Sequence, residues 1–195
     1  MVDKESHFML ICSIKKEVQE WHLYDCYGKD LGALQNDKRF SRAMNIRYRG
    51  KRNVNAGNES CVWILIGKNE TEEVCLQVGR TKNLTNLLSS DVKEDIKEIC
   101  KGDNNSNYGK LKDKYTELSF YEVDIEKYLK NDTDIENIFV EKPVNKYLYL
   151  AYAYNRAAYV EGKLSLEKEA VMYHPSSLDG YYREYFKEKS KYSQL

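Results

Sequence analysis

Two stretches hold residue types and spacings able to do chemistry on a phosphate. The first is Gly79-Arg80-Thr81-Lys82-Asn83, set between an apolar segment and a helix-forming one. A tight corner of this kind turns backbone N–H groups toward an anion and adds the cations Arg80 and Lys82. The second is Lys38 to Arg52, KRFSRAMNIRYRGKR, with seven cations and no acidic residue. Lys38, Arg39, Arg42, Arg47, Arg49, Lys51 and Arg52 would track a nucleic-acid backbone, and Phe40 and Tyr48 could stack on bases. The competing reading is a solvated basic face, or a loop paired with acids at Asp91, Glu94, Asp95 and Glu98. Net charge does not decide between them, because 31 basic and 31 acidic residues balance.

The elements that must position these residues follow from periodicity. Phe8–Ile14 and Trp21–Tyr27 read as an N-terminal β-hairpin closed by Gly28. Leu31, Leu34, Phe40 and Met44 give a short helix between Asp30 and Tyr48. Asn53–Ser60, NVNAGNES, is a turn-rich boundary. It divides an N-terminal extension, residues 1–57, from a main domain, residues 58–195. Val62–Ile66 and Val74–Val78 are strands joined by a polar turn. Leu84, Leu87, Leu88, Val92, Ile96 and Ile99 recur at helical spacing over Asn83–Cys100, and Gly102 ends that helix. Glu117–Asp124 alternates as a third strand, followed by one helical turn at Ile125–Leu129. Val144–Val160 is a helix after Pro143. Ser165-Leu166-Glu167-Lys168 reads as the capped start of another, running to about Tyr173. Asp179–Tyr192 is a last charged helix. The whole is an α+β fold with a small, mainly antiparallel sheet covered by helices.

The chain of 195 residues suffices for one domain with a sizeable core. Its five cysteines are odd in number and lack CxxC or zinc-ligand spacing, which favours reduced thiols in an intracellular, cytoplasmic protein. The N-terminal apolar run is too short for a signal peptide, and no run reaches membrane-spanning length. The 17 tyrosines suit strands, base stacking or protein contacts. Those at 147, 149, 152, 154 and 159 circle one helix, so some face a core and others an interface. Tyr181, Tyr182, Tyr185 and Tyr192 lie among cations and acids on the last helix. Trp63 sits in an apolar run and reads as core. His174 reads as a helix-end residue meeting the last carbonyls.

The order strand, strand, helix, strand, helices from residue 60 to about 180 resembles the GIY-YIG nuclease superfamily. Cys61-Val62-Trp63 would stand at that family's first triplet and Gln77-Val78-Gly79 at its second. Arg80-Thr81-Lys82-Asn83-Leu84 matches the corner after it. Glu169-Ala170-Val171-Met172-Tyr173-His174-Pro175 resembles the late helix with the metal-binding Glu, and Asp179 falls near a position often held by Asn. The resemblance implies a catalytic set of Gln77, Arg80 and Glu169, with Mg2+ or Mn2+ held by Glu169. The departures are chemical. The first triplet lacks Gly and Tyr. Gln77 stands where a Tyr would help activate water and cannot act as a base. Leu87 stands where an Arg would clamp the scissile phosphate. Losing that cation costs roughly two or more orders of magnitude in rate. Arg80, Lys82 or Arg156 would have to replace it.

The resemblance therefore implies a nucleic-acid-binding protein, DNA before RNA, with weak, altered or absent metal-dependent phosphodiester hydrolysis. The alternative is a non-catalytic protein–protein module, with a partner or a second copy docking on the Tyr-rich helices.

Overall fold

The computed structural model describes residues 7–18, 20–34, 38–48, 60–81, 91–102, 106–130, 132 and 146–172. They form an α+β fold around one six-stranded sheet. The strands are β1 (Phe8–Glu17), β2 (Glu20–Asp25), β3 (Asp30–Ala33), β4 (Cys61–Lys68), β5 (Glu73–Thr81) and β6 (Glu117–Val123). Their spatial order is β3-β2-β1-β6-β4-β5, and every pairing is antiparallel. The helices are α1 (Lys38–Arg47), α2 (Asp91–Lys101), α3 (Ile125–Leu129) and α4 (Lys146–Glu167). The N-terminal hairpin enters this sheet directly, through β1 pairing with β6. Among the described residues no helix is long and apolar enough to cross a membrane.

Side-chain alternation sends β4 to both faces, which explains its unbroken apolar sequence. Cys61, Trp63 and Leu65 point to a first face, where they join Ile14, Leu23, Phe120, Phe40 and Met44 of α1, and Val92, Ile96 and Ile99 of α2. Val62 and Ile64 point to the second face, where Val78 and Val123 meet Ala157, Val160 and Leu164 of α4. Each large apolar side chain so buried contributes roughly 1.5–3 kcal/mol. α1 packs on β1, β2 and β3, so it covers the β3 margin of the first face, while α4 covers β4 and β5 on the second.

Local chemistry sets the turns. Asn69 Oδ1 accepts from the N–H groups of Thr71 and Glu72, each at 2.9 Å, folding the β4–β5 hairpin. Asp124 caps α3 by accepting from the Lys127 N–H at 3.0 Å. Arg156 of α4 reaches Glu126 of α3 at 2.8 Å, and the Tyr128 hydroxyl donates to Glu167 at 2.7 Å.

Two expected boundaries are displaced. Leu31, counted in the helix expected between Asp30 and Tyr48, lies in β3, and that helix, α1, begins at Lys38. Ser165 does not start a helix: it lies inside α4, buried, with its Oγ donating to the Glu161 carbonyl at 2.6 Å. The helix stops at Glu167 instead. The Ala170 N–H donates to the Ser165 carbonyl and the Glu169 N–H to the Leu166 carbonyl, at 3.0 and 3.1 Å. This is a Schellman stop, with Glu169 in the left-handed position at φ 49°. The chain then crosses the β5 edge. Val171 and Met172 donate their N–H groups to the carbonyls of Cys75 and Leu76, and Met172 packs into the first-face core. The expected helix over Asp179–Tyr192 and His174 lie outside the described residues, as do residues 83–90 of the expected Asn83–Cys100 helix.

Candidate nucleic-acid interface

β5 carries Gln77 and Arg80, three residues apart on one regular stretch, so alternation sends them to opposite faces. Leu65 pairs with Gln77 but Ile66 pairs with Cys75, so Leu76 is an extra residue and the alternation shifts. Gln77 consequently faces the first side, where its Oε1 accepts from the Tyr108 hydroxyl at 2.5 Å. Gly79 faces the same side, and the Trp63 ring lies across its Cα so closely that a Cβ would collide with it. Trp63 is core, 4% exposed, with its ring 5.5 Å from that of Phe120.

Arg80 faces the second side, beneath α4. Its Nε lies 3.3 Å from Glu161 Oε2, and its guanidinium sits 4.3 Å from the Tyr154 ring centroid. Its side chain is only 11% exposed. Arg156, the other substitute cation, is engaged with Glu126 and with the Tyr152 hydroxyl. Lys82 lies outside the described residues.

Glu169 is exposed on the second side, at the rim of a cleft of about 260 Å3 floored by Ile64, Ile66 and Cys75 and walled by Phe8 and Tyr121. Burial pushes the Cys75 thiol up to about 12, so it stays protonated and unreactive. The Val171–Cys75 hydrogen bond ties the Glu169 turn to Cys75, which pairs with Ile66 while Arg80 pairs with Val62, four rungs or about 13 Å along the sheet. Gln77, Arg80 and Glu169 thus do not converge. A divalent metal also finds no fitting donor set: among the described residues no three His, Cys, Asp or Glu side chains gather to hold one.

The basic run is sorted by α1. Phe40, Ala43 and Met44 are buried beneath the helix. Arg39 bends back, donating to the Ala33 carbonyl across Gly32. Arg47 is half-buried beside Glu122, a carboxyl 6% exposed on β6. Burial raises the pKa of Glu122 above the ordinary carboxylate value, against the opposing pull of the Tyr48 hydrogen bond and of Arg47. The Tyr48 hydroxyl donates to Glu122. Phe40 and Tyr48 are therefore committed inward, and neither is placed to stack on bases. Arg49, Lys51 and Arg52 lie outside the described residues.

Lys38, Ser41, Arg42 and Asn45 are exposed. They stand at i, i+3, i+4 and i+7, one stripe of a helix without acidic residues. Ser41 and Asn45 went unnoticed in the sequence because neither is charged. The signal was present in the complementary spacing of Phe40, Ala43 and Met44.

Comparison with protein-family models, curated proteins and solved structures found no match to this chain.

The side chains of Tyr147 and Tyr149 lie outside those described; the other α4 tyrosines each meet a neighbour. Tyr159 is buried, Tyr154 lies against Arg80, and Tyr152 accepts from Arg156. The acidic residues of α2 are partly spent on their own helix, Glu94 lying 3.3 Å from both Lys93 and Lys97.

Proposed function

We propose that this protein binds nucleic acid through the outer stripe of α1 and does not hydrolyse it. The observation that carries this reading is the acid-free stripe of Lys38, Ser41, Arg42 and Asn45, presented by a helix whose opposite side is anchored in the core. Such a surface attracts a polyanion and releases its counterions. The β4–β5 hairpin, followed by α2 and by β6 laid beside β4, supports kinship with GIY-YIG nucleases. The separation of Gln77, Arg80 and Glu169 supports loss of cleavage on that scaffold, as does the absence of a metal-ligating trio among the described residues.

The test is fluorescence anisotropy with a 20-base-pair DNA duplex between 50 and 200 mM salt. If Lys38 and Arg42 each neutralise one phosphate, affinity falls about 12-fold over that range. Lys38→Ala flattens the logarithmic slope by roughly 0.9. Supercoiled plasmid incubated with Mg2+ or Mn2+ stays intact. Salt-independent binding, or binding unaffected by Lys38→Ala and Arg42→Ala together, overturns the assignment to α1. Metal-dependent nicking abolished by Glu169→Ala overturns the non-hydrolytic part.

A further inference from the structure

We propose that α1 reads base pairs in the major groove of duplex DNA, with Arg42 and Asn45 as the base-contacting residues and Lys38 on the adjoining phosphates. This rests on the nucleic-acid reading above and adds the form of the partner and the residues that select sequence. The residue types are those whose donor and acceptor geometry fits base edges. The Arg fork matches O6 and N7 of guanine, and the Asn carboxamide matches N6 and N7 of adenine. Ser41 between them offers a hydroxyl that both donates and accepts.

Spacing supports the assignment. Positions i, i+3, i+4 and i+7 are those from which a groove-seated helix presents its base contacts. Arg42 and Asn45 are about 4.5 Å apart along the axis, at about 1.5 Å per residue, so they reach neighbouring base pairs. A helix with side chains is about 10–12 Å across and fits a B-form major groove about 12 Å wide. The deep, narrow major groove of A-form RNA does not admit it.

The helix is also held rigid, as a reading element must be. Phe40, Ala43 and Met44 are 0–2% exposed beneath it. Near its start, Arg39 donates to the Ala33 carbonyl of β3; just past its end, Tyr48 donates to Glu122 of β6. α1 packs on the three strands of the β3 margin and leaves its far side outward.

The experiment selects 20-base-pair duplexes from a random pool with the wild-type protein. Affinities for the winner and a scrambled duplex are then measured at 100 mM salt. Wild type prefers the winner. Asn45→Ala and Arg42→Lys each cut that preference about tenfold or more. Arg42→Lys keeps the charge and loses the fork, so binding to the scrambled duplex is unchanged. Duplex RNA of the winning sequence binds no better than scrambled DNA. Circular dichroism confirms that both variants stay folded. Salt-dependent binding without enrichment of any sequence overturns base reading and leaves the nucleic-acid reading standing. Enrichment untouched by both variants transfers the reading to another element. No binding to any duplex overturns both.

Discussion

Replacing Arg80 separates a structural cation from a phosphate-binding one. Two unit charges 3.3 Å apart attract by about 5 kcal/mol at an effective dielectric constant near 20. Desolvation of both partners offsets much of that, but Arg80→Ala leaves the Glu161 carboxylate, 12% exposed, without the guanidinium beside it. Breaking a buried pair in this one-sided way costs about 3–5 kcal/mol. Loss of the guanidinium from the Tyr154 face adds about 1 kcal/mol. At about 2–4 °C per kcal/mol for a chain of this size, calorimetry should show Tm falling by roughly 8–24 °C. Arg80→Met with Glu161→Leu should recover most of the loss, since both charges of the pair are then removed together. Affinity for duplex DNA, measured well below Tm, should stay within about twofold. A folded Arg80→Ala protein with unchanged Tm but weakened DNA binding would refute the reasoning and place Arg80 at the phosphates.

Two further outcomes follow from single side chains. The raised pKa of Glu122 means that the folded state holds its proton more tightly than the unfolded chain does. Stability due to this group therefore falls as pH rises from about 4.5 through the raised value, and Glu122→Gln should flatten Tm against pH there and raise Tm near neutrality. A steeper profile in the variant would contradict this. Glu169 holds a left-handed conformation that costs a non-glycine residue about 1 kcal/mol, so Glu169→Gly should raise Tm by about 2–4 °C. A lower Tm would show that the carboxylate makes a stabilising contact.

Strands β4, β5 and β6 were legible because their side chains alternate or run apolar between polar turns. The turn of α3 was legible from its own residues. β3 was not: Asp30-Leu31-Gly32-Ala33 is short and contains a glycine, and it is a strand because β2 offers it an edge. The end of α4 was misjudged because Ser165 back-bonds inside the helix, and the residue at the left-handed stop is Glu169, not glycine. The candidate catalytic set failed to assemble for a reason that the sequence carried in part. Gln77 and Arg80 are three residues apart on one regular stretch of β5, so alternation alone sends them to opposite faces. What the sequence did not carry is where the chain around Glu169 crosses β5. Before that regular stretch the bulge at Leu76 reverses strand parity, so Cys75 and Gln77 lie on opposite sides. The basic run was visible as charge. Which of its cations turn inward depended on partners far along the chain, such as Glu122, 74 residues from Tyr48.

The clasp of Val171 and Met172 on β5 occupies part of a sheet margin where another copy could add. A bare outer strand is a template on which a second copy can add its own backbone. Here two of the carbonyls that such an intruder would seek are already satisfied from within the same chain, and Met172 is tucked into the core behind them. At the opposite margin β3 is only four residues long and offers little purchase. A chain shortened to end at Ala170 would uncover the Cys75 and Leu76 carbonyls and open that margin to edge-on stacking.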